Sequence, residues 1–132
     1  MTPEGLIVRA SRHEPKETMD RLAAAVTARG AAIVARIDHA AAAATVGLAL
    51  APTEVLMFGN PKAGTPLMQA AQTIGIDLPL RALVWRDAAG ITHVGYNDPL
   101  WLARRHGAEA GSEAVLKAMA ALLAAAAEEA AG

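Results

Sequence analysis

Apolar residues recur along this chain with two different periods, and each change of period marks an element. Gly5–Ala10 is short, β-branched and bounded by Gly and Ser, which predicts a strand. From Glu14-Pro15 the period lengthens. Met19, Leu22 and Val26 recur at helical spacing until Gly30, and Pro15 suits a first helical turn. Ala31–Asp38 predicts a second strand with Ile33, Ala35 and Ile37 on one face, and the alanines at 40–44 predict a short helix. Gly47–Ala51 and Thr53–Phe58 read as strand, punctuated by Pro52.

Gly59–Gly64 is a loop by composition, and Thr65-Pro66 looks like the N-cap and first turn of a helix through Leu67, Met68, Ala71 and Ile74 that Gly75 closes. Leu80–Arg86 and Ile91–Tyr96 read as strands joined by the hairpin-type turn Asp87–Gly90. Asp98-Pro99 opens a short helix that ends at His106-Gly107. Ser112 caps a last helix with Val115, Leu116, Met119, Leu122 and Leu123 on its apolar face. Because the strands cluster in pairs, the expected fold is α+β, a mainly antiparallel sheet with helices packed on one face. A doubly wound parallel sheet is the alternative. Residues 1–132 read as one domain, with a core over about 5–107 and a terminal helix over about 112–130.

Composition narrows the function classes. Of the 54% apolar share, 34 residues are alanine, so the larger core-forming side chains are fewer than the total suggests. Aromatics at 3% and a net charge of -1 argue against a nucleic-acid face. The absence of cysteine removes disulfides, thiol catalysis and thiolate metal ligands. The uncharged run Ala40–Pro52 is shorter than the roughly 20 residues of a spanning helix. The N-terminus lacks the pattern of a signal peptide. The expectation is a soluble, cytoplasmic protein with no nucleic-acid or membrane partner.

Candidate chemistry concentrates in Gly59–Thr65. A helix start offers N–H groups and a partial positive charge, to which Lys62 adds a full one, so Gly59, Asn60, Lys62, Gly64 and Thr65 could hold a small anionic ligand. No Lys follows the second Gly as a phosphate-binding P-loop requires, which argues against nucleotide triphosphate hydrolysis. The competing reading is a turn with a capping residue. His39 ends an apolar strand beside Asp38 and is a candidate base. His106 follows Arg104 and Arg105 at a helix end, where a cation is also favoured by the dipole. His93 reads as a residue on a solvated face. Asn97 and Asp98 are either turn-formers or site residues, and Trp85 and Trp101 are anchors of core or interface.

The run Pro52-Thr53-Glu54-Val55-Leu56-Met57-Phe58-Gly59-Asn60-Pro61-Lys62-Ala63-Gly64-Thr65-Pro66-Leu67-Met68 resembles the signature of the DUF302 domain family. So do His39 with the following alanines, Asp77-Leu78-Pro79-Leu80, Leu83-Val84-Trp85, Tyr96-Asn97-Asp98-Pro99 and Arg105-His106-Gly107. The resemblance spans about residues 5–107. It implies a small α+β fold similar to the TATA-binding-protein-like class and no established activity, and that likeness does not carry DNA binding with it. Three functions compete. The first is a binding module for a polar or anionic small molecule, with loop 59–65, His39 and Asn97/Asp98 converging on one pocket. The second is an enzyme with His39 as general base supported by Asp98 or Lys62, or with His39 or His106 as a metal or haem ligand. The third is a non-catalytic homodimeric module.

Overall fold

The computed structural model describes residues 2–132. In chain order the elements are β1 (Leu6–Ser11), α1 (Pro15–Ala28), β2 (Ala32–Asp38), α2 (His39–Thr45), β3 (Thr53–Gly59), α3 (Pro61–Ala70), a 3-10 helix (Gln72–Asp77), β4 (Leu80–Arg86), β5 (Thr92–Asn97), α4 (Pro99–His106) and α5 (Glu113–Ala131). The strands form one five-stranded sheet in the order β1-β5-β4-β3-β2, and every neighbouring pair is antiparallel. The fold is therefore α+β with an open antiparallel sheet, as the paired strand signals predict. β1 and β2 are the two edges, and α1 carries the chain from one to the other.

Alternation divides the sheet into two unlike faces. On one face, Leu56, Phe58, Ala82, Val84 and Val94 are each at most 1% exposed. They meet Met19, Leu22 and Val26 of α1 and Leu116, Met119 and Leu123 of α5 in a single apolar cluster. The three α5 positions are among those its periodicity selects. On the other face, Leu6, Val8, Val55, Met57, Leu83 and Trp85 stay half-buried. Glycine is needed at 95 because the Trp85 ring of the neighbouring strand lies across it. A Cβ there would come within 2.9 Å of that ring. At Gly5, φ is +79° and a Cβ would sit 2.3 Å from Trp101, so only glycine fits.

Three local expectations fail. Gly47–Ala51 forms no strand; the segment is exposed, including Leu48 and Leu50, because β3 already has partners on both sides. α3 begins at Pro61, with Asn60 rather than Thr65 as its N-cap, and Pro66 lies inside the helix. Its unavailable N–H falls in the second turn, where Asn60 and Pro61 already provide a stronger start signal. Gly75 does not close α3, which ends at Ala70 and passes into the 3-10 helix.

Phe58 is wholly buried within the apolar cluster. Phe58→Ala is expected to cost about 3–5 kcal/mol in unfolding free energy. Denaturant titration should show a lower midpoint at an unchanged m-value, because the substitution removes core contacts without changing the fold.

Candidate functional site

The two ends of the sheet separate the candidate residues. β3 ends at Gly59 opposite Ala32, and β2 ends at Asp38 opposite Glu54. The Gly59–Thr65 segment therefore lies at one end and His39 at the other, about 20 Å apart along the strands. Asn97 pairs with Leu6 at the same end as Gly59, and Asp98 follows it. The expected convergence of His39 with Lys62 and Asp98 does not occur, because the antiparallel register carries β2 away from the end where β3 finishes. His39 is the exposed first residue of α2. Asp98 is the N-cap of α4, its carboxylate accepting the Leu100 N–H at 3.0 Å. A general base at His39 supported by Asp98 or Lys62 has no geometry here.

The start of α3 has also spent its donors. Pro61 has no N–H. Asn60 Oδ1 accepts the Lys62 N–H at 2.9 Å, and the Asn60 carbonyl accepts from Ala63 at 2.9 Å and Gly64 at 3.0 Å. The positive dipole end remains, but the amides that would grip an anion are satisfied within the turn. Lys62 is exposed.

What the segment does build is the wall of a cavity of about 430 Å³. Gly59, Asn60, Pro61, Ala63, Gly64, Thr65 and Met68 form one side. Leu78, Pro79 and Leu80 form the floor, with Leu78-Pro79 joined by a cis peptide bond. Ala31, Ala32 and Val34 of the β2 entry and Ala118, Met119 and Leu122 of α5 complete it. Small residues make the space. A Cβ on Gly64 would already lie 3.6 Å from Leu78. The lining is apolar apart from a few groups at the mouth. Arg29 is engaged by the Ala25 carbonyl and Glu129. The Asn60 amide nitrogen and the Thr65 hydroxyl have no hydrogen-bond partner among the described residues.

His106 sits in a separate cluster. Asp77 Oδ2 accepts from His106 Nε2 at 2.5 Å and from Arg105 at 2.7 Å, and the Thr73 hydroxyl lies 2.9 Å from His106 Nδ1. A carboxylate only accepts, so Nε2 carries the proton, and in the neutral ring Nδ1 accepts from Thr73. Both ring nitrogens are thus committed to tying α4 to the 3-10 helix. Axial ligation of a metal or haem would have to break this tie. Among the described residues no group of three or more His, Asp or Glu could hold a metal ion. Thr73 and Asp77 were not candidates from the sequence, since nothing in their spacing announces a partner about 30 positions away.

His93 lies on the sheet face that α1 and α5 leave uncovered, as expected, but its ring is not free there. Its ring stacks on Trp85 at a centroid distance of 5.1 Å, Nε2 donates to Asp87 Oδ2 at 2.7 Å, and Nδ1 is buried without a partner. That bond, with the N–H groups of Ile91 and Ala89, holds the Asp87 carboxyl below its usual range. The Lys16 and Arg36 side chains do the same for Asp20.

Comparisons with known proteins come to the same fold. The profile of the family described as "Domain of unknown function DUF302" matches residues 7–126. A protein named "Fluoride-specific ion channel FluC 1" from Brucella suis is 48% identical over 115 residues, covering 87% of this chain and 45% of that protein. "Fluoride-specific ion channel FluC 2" from Brucella melitensis is 48% identical with 43% of its length covered. The chain thus spans less than half the length of these relatives. A solved structure, "Crystal structure of uncharacterized conserved protein DUF302 from Bacillus stearothermophilus", superposes with a TM-score of 0.85 over 97% of this chain and 99% of that one, at 18% identity. No helix among the described residues is long and apolar enough to cross a membrane.

A carboxyl lowered by folding contributes stability that is complete above the ordinary Asp value of about 4 and is lost as pH falls through the lowered value. Stability should therefore drop below about pH 4. Asp87→Asn should make that acid loss shallower without abolishing it, since Asp20 retains its own share. Urea midpoints measured across that pH range check this.

Proposed function

The chain belongs to the DUF302 family, and we propose that it is a small-molecule-binding module whose ligand occupies the cavity beside Gly59–Thr65. The observation that carries this reading is a space of about 430 Å³ walled on one side by Gly59–Pro61, Ala63–Thr65 and Met68 of the family-like run. That volume falls within the size range of small-molecule pockets, and a mostly apolar lining with few polar groups is their usual composition. The chemistry favours an apolar body with a single polar group over an anion. The apolar part would rest on Leu78, Leu80, Met119 and Leu122, and the polar group would meet the Asn60 amide or the Thr65 hydroxyl at the mouth. The driving force is removal of apolar surface from water, and the two uncommitted polar groups supply orientation.

The Brucella relatives give this module a setting. They are named as fluoride channels, and more than half their length lies outside the match. In our reading the named channel activity belongs to that remaining length, and the part shared with this chain is a joined binding unit.

Ala118 is exposed at the rim of the cavity, so Ala118→Trp should fill the mouth while leaving the fold intact. Thermal-shift titration with straight-chain alcohols and carboxylates of increasing length should show stabilisation that grows with chain length. Ala118→Trp should weaken it by about tenfold or more, equivalent to about 1.4 kcal/mol. The absence of stabilisation by any chain length, or equal stabilisation of the variant, would reject the proposal.

A further inference from the structure

We propose that the bare face of the sheet is closed by the same face of a second copy of this chain. α1 and α5 pack on one face, and the opposite face carries the half-buried Val55, Met57, Leu83 and Trp85, with Arg81 and His93 among them. A sheet with an apolar face left to water lacks one of the layers that normally enclose such a core.

Two observations select a second copy as the occupant. The first is size. Five strands spaced at about 4.8 Å and running about 20 Å give a footprint of about 400–500 Å². A stable interface needs roughly 800 Å² per partner, so the pairing engages the whole face, edge strands included.

The second is self-complementary charge. On β4 the face alternates Arg81, Leu83 and Trp85, and continues to Asp87 just past the strand. Arg81 and Asp87 each stand three residues from Val84. A two-fold axis passing level with Val84, in the plane of the interface and across the strands, sets β4 antiparallel to its copy. Arg81 of each chain then meets Asp87 of the other. Arg81 is exposed, and no carboxylate of its own chain lies in ion-pair range of it. Such an isologous arrangement pairs both ends with one surface, beside the contacts that Arg81 makes to the Ile76 carbonyl and Asp87 makes to His93, Ala89 and Ile91 within the chain. It also covers the Trp85–His93 stack, whose Nδ1 atom has no partner within the chain. Nothing in this pairing involves the cavity on the helical side, so the two proposals stand or fall separately.

Sedimentation equilibrium of the intact chain tests the pairing. The expected result is twice the 13.6 kDa chain mass, with Leu83→Arg and Val55→Lys each giving the single-chain mass and an unchanged far-ultraviolet circular dichroism spectrum. Both sites are half-buried, so at least one variant should retain its fold. Arg81→Glu should weaken association by about tenfold or more, and that weakening should shrink at high salt. A wild-type chain of single mass throughout the accessible concentration range overturns the proposal. So does a dimer that survives both face variants. If such a dimer is lost in Leu48→Glu, the contact lies instead at the exposed segment after α2.

Discussion

The burial of one face of the sheet, and only one, is the constraint from which the other features follow. Leu56 and Phe58 of β3, Ala82 and Val84 of β4 and Val94 of β5 are removed from water by α1 and α5. The period of two along each strand then dictates that Val55, Met57, Leu83 and Trp85 point away from that core. Because α1 must join the two edge strands, it crosses the whole sheet, and α5 lies beside it. The cavity arises where this layer stops short. Beyond Met119 and Leu122 of α5 the sheet end is closed by α3 instead, and the alanines and glycines between them leave space.

The elements were legible in the sequence wherever periodicity was long, as in α1, β4, β5 and α5. They were less legible where a local signal competed with another. Thr65-Pro66 and Asn60-Pro61 are both valid helix starts by residue type. Asn60 wins because its side chain caps Lys62 while its carbonyl receives the next two N–H groups. Gly47–Ala51 has strand-like residues but joins no ladder, and β3, which it leads into, has partners on both sides. Ladder formation is a property of the sheet, not of the segment.

The candidate site is legible in the sequence as a segment, but not which of its atoms face the cavity. Gly59–Thr65 does form the wall of a cavity, yet its glycines and alanine serve to make room, and its amides are used internally. A string of Gly, Asn, Lys and Thr looks polar in one dimension, whereas its contribution to the lining depends on which atoms turn inward. The position of His39 has a different origin. Only the register of β2 on β3 decides which end of the sheet a strand-terminal residue occupies. The partners of His106 lay beyond reach for a similar reason. Thr73 and Asp77 meet His106 through tertiary packing of a 3-10 helix on α4.

An amide proton–nitrogen NMR titration with octanol locates the ligand without a substitution. Perturbed amides are expected to cluster at Gly59–Met68, Leu78–Leu80 and Ala118–Leu122, with His39 and the residues around Asp98 unmoved. A titration that leaves the cavity residues unchanged, or that moves only amides at the His39 end of the sheet, would contradict ligand binding in the cavity.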